Sequence, residues 1–226
     1  MAERPIFVPA PDCPELVKTI PLSLEWHSGF APVQKQKNVK ALHAAAAAAG
    51  YTPVLEISSK SETKLGRHLS AFHLKVHSER LGDIPLESAF QGSKVFEHGG
   101  PNTDLYTAEP RTAKQDPRIR ASGKVVGFTF EDYRFPTEPK TAFYDWLYSS
   151  AIFEHREWLR SRLTQYTAFT DIEFNPRRSI NCQARSCALF VALLANGQLE
   201  KAVESPTAFI ELAARPSRLI ALTEHG

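Results

Sequence analysis

Cysteine is scarce in this sequence, and none of it falls at a spacing that chemistry uses. Cys13, Cys182 and Cys187 make an odd count of three, with no C-x-x-C pair among them. That argues against a disulfide scaffold and against zinc, and the thiols read as core residues. No G-x-x-x-x-G-K-[ST] and no G-x-G-x-x-G occurs, so neither a P-loop nor a dinucleotide fingerprint is expected. No metal and no cofactor are expected. No apolar run reaches the length of a membrane span; Ala44–Ala49 is short and reads as a helix interior. Nothing resembles a secretion signal. These absences together point to a soluble protein of a reducing cytosol. Charge of one sign is also lacking. Lys and Arg number 27 against 25 Asp and Glu, a formal net charge of +2. That balance is not by itself a nucleic-acid footprint.

What is present is ordinary globular composition: 226 residues, 42% hydrophobic and 23% charged. The length suits one α+β domain, mainly helical with a small β-sheet. Residues 1–52 read as an N-terminal elaboration and residues 53–226 as the main domain. Residues 1–22 are Pro-rich and are expected to lie extended over the surface, with a turn in Glu25–Phe30. A helix is expected from about Pro32 to Ala49, where Gly50 stops it. Residues 53–59 and Lys124–Phe130 read as strands. Leu86 to about Phe96 and Thr141–Leu163 read as helices, and 107–124 as a polar, basic loop. Tyr166–Phe174 reads as extended. Ile180, Ala184, Cys187, Ala188, Val191 and Leu194 recur at helical period over Ile180–Ala195.

Residues 85–94, PLESAFQGSK, mix functional and small side chains. On a helical wheel Glu87, Gln91 and Lys94 fall at about 100°, 140° and 80° from Leu86, one narrow stripe. Ser88 and Gly92 lie on the far side. Glycine in a helix costs about 1 kcal/mol against Ala, so these small residues predict a close backbone or ligand. A solvated stripe with a weak Glu–Lys attraction is the plainer alternative.

The preceding LGRHLSAF (65–72), followed by a short extended segment and then E-x-x-x-Q-x-x-K, resembles the signature of the NADAR superfamily. Lys60 stands six residues before Gly66, where many NADAR domains carry Lys. FYDWLYSSAI (143–152) and FTDIEFNPRRSINCQARSCALFVAL (169–193) resemble the family's later helices, so the likeness spans roughly 54–195. Ala71 stands where Asn is common, and the common W-G pair of the closing segment is missing. With the N-terminal segment, these traits are similar to the NADAR branch that accompanies DarT-type DNA ADP-ribosyltransferase toxins.

That resemblance implies an antitoxin hydrolase that removes ADP-ribose from guanine bases of single-stranded DNA. A DarT-like toxin would be its functional partner and ADP-ribose its product. It also implies lysine-type chemistry at the ribose anomeric carbon. Such chemistry needs a proton donor for the leaving nitrogen and an amine desolvated enough to attack. Glu87 is the proton-transfer candidate, and Lys94 and Lys60 compete as nucleophile. Gln91, Ser70 and Phe72 are expected to line the substrate. Arg178, Asn181 and Arg185, at spacings of three and four on one face, form a candidate pyrophosphate clamp. Asp171 and Glu173 alternate along an extended segment, so one of them is a candidate for the ribose hydroxyls. Arg111, Lys114, Arg118 and Arg120 offer DNA phosphate contacts. Trp146 offers a stacking ring, although aromatics at helical period also build cores. An N-glycosidase of riboflavin-pathway intermediates and a non-catalytic, ADP-ribose-binding or toxin-neutralising module remain as alternatives.

Overall fold

In the computed structural model, which describes residues 1–29 and 31–213, the chain opens on a long hairpin. Strands β1 (Ala2–Ala10) and β2 (Leu16–Leu24) pair antiparallel in continuous register from Ala2 opposite Leu24 to Ala10 opposite Leu16. Helix α1 (Pro32–Ala48) starts with proline in its first turn, where a missing N–H costs nothing. Strand β3 (Val54–Glu56) follows, then the short α2 (Lys64–His68), capped by Thr63 Oγ1, which accepts from the Gly66 N–H. A second hairpin, β4 (Lys75–Ser78) and β5 (Gly82–Pro85), leads straight into α3 (Leu86–Gly92). Strand β6 (Lys94–Phe96), a 3-10 turn at Thr103–Thr107, α4 (Pro110–Gln115) and α5 (Arg118–Ala121) come next. After β7 (Val125–Phe130) and β8 (Tyr133–Phe135) the chain turns helical with α6 (Ala142–Phe153) and α7 (Arg156–Leu163). Strand β9 (Ala168–Thr170) precedes α8 (Gln183–Ala195), α9 (Leu199–Val203) and α10 (Pro206–Ala213).

The strands form three small sheets, ordered β2-β1-β9-β3, β6-β7-β8 and β4-β5. Strand β9 lies between β1, antiparallel through Phe7 and Phe169, and β3, parallel through Leu55 and Phe169. The N-terminal hairpin is thus part of the main sheet rather than a surface wrap. The core sits between that sheet and helices α6 and α8. Ala184, Cys187, Ala188, Leu189, Phe190 and Leu193 of α8 have no exposed surface, and Tyr148 and Leu147 of α6 meet the same core. Full burial of each large apolar side chain is worth about 1.5–3 kcal/mol. A second aromatic block joins α3 to the β6-β7-β8 sheet. Phe90 stacks on Phe128 and Phe143, and Phe143 on Trp146. No described helix is long and apolar enough to cross a membrane.

Four expectations change. The helix at 86 ends at Gly92, because Lys94–Phe96 is claimed by β7 as a strand. The 141–163 helix is two helices. The 107–124 loop holds α4 and α5. The helix expected from Ile180 begins at Gln183. Phe30 and residues 214–226, the end of the expected main domain, lie outside the described residues.

The small residues of α3 do face neighbours. Ser88 Oγ donates to the Ala108 carbonyl at 2.7 Å. A Cβ added at Gly92 would lie 2.7 Å from the Tyr106 ring and 2.9 Å from the Asn102 carbonyl oxygen. Gly92→Ala is therefore expected to destabilise. Overpacking of about 1–3 kcal/mol outweighs the helix-propensity gain of about 1 kcal/mol. A urea midpoint equal to or above wild type would show that Tyr106 yields freely.

Candidate active site

Helix α3 is aimed by the hairpin before it. The Leu86 N–H donates to the Leu74 carbonyl at 3.0 Å, and Pro85 pairs with Lys75. Glu87, in the first turn, is 5% exposed. One turn on, Gln91 Nε2 donates to Glu87 Oε1 at 2.9 Å, and Lys94 Nζ donates to Gln91 Oε1 at 2.6 Å. The stripe read from the sequence thus holds, even though Lys94 lies beyond the helix end. Ser93 Oγ, bonded to the Ala89 carbonyl, closes the helix and lets Lys94 turn back over it.

Two further contacts complete the cluster. Lys114 Nζ of α4 lies 3.5 Å from Glu87 Oε1 and 5.6 Å over the exposed Phe72 ring. Lys94 Nζ lies 4.8 Å over the Phe90 ring. Burial lowers the Lys94 amine to about 8; the Glu87 carboxylate opposes that shift and the Lys114 charge adds to it. An amine at that value is about one-tenth neutral at pH 7, against less than about one in a thousand for an ordinary lysine. The arrangement is a carboxyl group and a partly neutral amine bridged by one amide.

A second polar layer lies under the sheet. Glu56, at the end of β3, is fully buried and accepts three hydrogen bonds. Ser58 Oγ (2.6 Å) and the Ile172 N–H (2.9 Å) donate to Oε1, and Thr170 Oγ1 (2.6 Å) donates to Oε2. His43 Nε2 lies 3.0 Å from the same Thr170 hydroxyl. Burial raises the Glu56 carboxyl above its ordinary value despite these donors. Asp171, also buried, is raised by burial and then by Glu56. Gln183 Nε2 donates to Asp171 Oδ2 at 3.0 Å, while Gln183 Oε1 accepts from the Ala71 N–H at 2.7 Å. Asp171 thereby holds the LSAF loop, and the next residue, Phe72, meets Lys114. Between the two layers stands Tyr144, its ring 5.0 Å from that of Phe90. Its hydroxyl is pushed well up, by burial first and then by Glu87, Cys182 and Asp171. Gly66 is required by the same packing: a Cβ there would fall 2.0 Å from the Glu56 carbonyl oxygen and 2.3 Å from Ser61 Oγ.

The other candidates disperse. Lys60 is half-buried in the turn after β3, its N–H on Ser58 Oγ at 3.1 Å, and its amine joins neither layer. Ser70 is fully buried inside the loop, its hydroxyl 3.4 Å from the Phe72 N–H. Arg178 is exposed and Asn181 precedes α8, so the expected clamp does not form on one helix face. Arg185 is taken up by Asp145 and Thr141. Asp171 and Glu173 do not share a side either: the chain turns at 171, and Glu173 pairs outward with Lys35 at 3.1 Å. Trp146 is 4% exposed, packed on Phe135 and Phe143 with Nε1 donating to the Val203 carbonyl, so its ring has no free face for a base. Arg111 and Arg120 are exposed, but Arg118 is held between Asp104 and Asp116, which cancel its charge. Lys114, expected on DNA, reaches Glu87 instead. Glu56 was missed; its signal was a carboxylate within the apolar run VLEI.

The sequence matches the family model of the DarT1-associated NADAR antitoxin over residues 2–219. This chain belongs to that family. No curated protein matches it. The NADAR match begins at residue 2 and so takes in the β1–β2 hairpin as well as both polar layers.

Two outcomes follow for this NADAR antitoxin. Acetylation of Lys94, followed by mass spectrometry across pH, should have its midpoint near 8. A midpoint with the ordinary lysines, about 10.4, would mean that the amine is not desolvated. Asp171 binds a proton in the folded state that it loses when unfolded, so its contribution to stability falls as pH rises above about 4. Asp171→Asn should flatten that decline in urea midpoints; an equally steep decline in the variant would remove Asp171 as its source.

Proposed function

We propose that this NADAR chain is a DNA ADP-ribosyl glycohydrolase: it removes ADP-ribose from guanine in single-stranded DNA and so reverses the work of a DarT1-like toxin. The observation that carries this reading is the Glu87–Gln91–Lys94 chain, with its amine lowered by burial to about 8. Membership of an antitoxin family tied to DarT1 supports the biological direction.

The neutral Lys94 amine attacks the ribose anomeric carbon. The bond from that carbon to the guanine nitrogen breaks, and its electron pair stays on the nitrogen, which takes from Glu87 the proton that the Lys94 ammonium gave up to that carboxylate on becoming neutral. The new amine–carbon link loses a proton as the ring carbon–oxygen bond opens, and the ring oxygen gains one. A lysine imine of ADP-ribose results. Glu87, now a carboxylate, takes a proton from water as that water adds to the imine. The carbon–nitrogen bond of the resulting adduct breaks as its hydroxyl proton passes to the nitrogen, so that ADP-ribose leaves as the open-chain aldehyde and the Lys94 amine is restored. Gln91 holds both groups in register, and Lys114 beside Glu87 stabilises the carboxylate formed after the first step.

The test uses an oligonucleotide carrying ADP-ribosylated guanine. Glu87→Gln and Lys94→Arg should each slow release by about a hundredfold or more, while Lys60→Arg should retain near wild-type rates. Borohydride should trap a covalent adduct on Lys94. Full activity in Lys94→Arg together with loss in Lys60→Arg would move the nucleophile to Lys60. Full activity in both Glu87→Gln and Lys94→Arg would end the assignment.

A further inference from the structure

A cavity of about 710 Å³ is lined by Leu65 and His68 of α2 and by Leu69 after it, and by none of Glu87, Gln91 and Lys94. Its size is within the range of small-molecule sites. Its chemistry is unusual for an idle surface cleft. His68, His73, His77, His155 and Trp158 all line it, five flat ring side chains, and all five are exposed. Trp158 alone is 52% exposed. Isolated exposed rings are common; five around one cavity are not explained by core packing, since none of them belongs to the core. Leu69 and Leu74 supply apolar floor. Ser150 also lines the cavity, and its hydroxyl is buried with no hydrogen-bond partner among the described residues.

The occupant must therefore be flat, mostly apolar on its faces, and able to hydrogen-bond at its edge. A phosphate is disfavoured inside, because Asp83 and Glu154 stand at the cavity and offset Lys75. A nucleobase meets each requirement: its π faces stack on aromatic rings and its edge satisfies a hydroxyl and imidazoles.

The cavity is also joined to the reacting cluster. Leu74 accepts the first hydrogen bond of α3, from the Leu86 N–H, and Lys75 pairs with Pro85 at the helix start. Phe72, under Lys114, is the residue before His73. The short stretch Phe72–Lys75 thus carries both a wall of the cavity and the approach to Glu87.

We infer that this cavity is a nucleobase-binding site, separate from the Glu87–Lys94 cluster. The base comes from one of two sources: the adenine of ADP-ribose or a neighbouring base of the nucleic-acid strand. The inference does not need the glycosidic chemistry, because a chain that binds without turnover leaves it standing.

The experiment measures equilibrium binding of the full chain to two probes, ADP-ribose and a short unmodified single-stranded oligodeoxynucleotide. An abasic strand of equal length serves as the backbone control. Trp158→Ala and His68→Ala alter exposed side chains, and thermal unfolding checks that each variant is folded. Loss of one stacking partner should weaken the probe that uses the cavity by about tenfold. Weakening for the oligodeoxynucleotide but not the abasic strand assigns the cavity to a strand base. Weakening for ADP-ribose assigns it to adenine. Unchanged affinity for both probes in both variants overturns the inference, as does equal weakening for the abasic strand. Lys94→Arg, assayed alongside for turnover of the ADP-ribosylated oligonucleotide, reports on the catalytic reading separately from these affinities.

Discussion

The Glu56 carboxyl group is buried, with 2% of the residue exposed, and the rest of the site is arranged around that fact. A buried carboxylate left without donors is too costly to keep, so the fold surrounds it with them. Ser58, Thr170 and the Ile172 backbone converge on it, which ties β3 to the end of β9. That tie sets the turn at Asp171. Asp171 holds Gln183, Gln183 holds Ala71, and the loop carries Phe72 under Lys114. Lys114 in turn faces Glu87. A continuous path of contacts therefore runs from the main sheet to the Glu87 stripe, and it links six separate stretches of the chain.

This layout explains how electrostatics and packing share the work. The Lys94 amine loses part of its charge preference chiefly by leaving water; the Lys114 charge adds to that loss and the Glu87 carboxylate pulls the other way. Holding an amine in that state requires a wall, and the stacked rings of Phe90, Phe128 and Phe143 provide it. The aromatic block that stabilises the β6-β7-β8 sheet is the same block that dries the amine.

Much of this was legible in the sequence, and the part that was not has physical reasons. Glu87, Gln91 and Lys94 were found because a helical wheel is local geometry. The end of that helix was missed because β7 captures Lys94–Phe96, a decision made by residues about thirty positions away. Lys114 was assigned to a basic patch because its neighbours are basic; only the packing of α4 on α3 turns it inward. Arg185 looked like a phosphate ligand because Asp145, its partner, is forty residues upstream. Glu56 left a faint trace, one acidic residue in an apolar strand. The N-terminal hairpin left none, since proline at the edge of a sheet reads as irregular chain.

All seven residues of α3 are buried. Its start is fixed by Leu74 and its far end by Tyr106, so it has no slack in register or in volume. Such a helix is a poor place for natural variation to accumulate. Change that leaves the fold intact falls more easily on exposed positions such as Phe72 and Lys114. The fold thus separates a part that evolution can edit from a part it can only keep or lose.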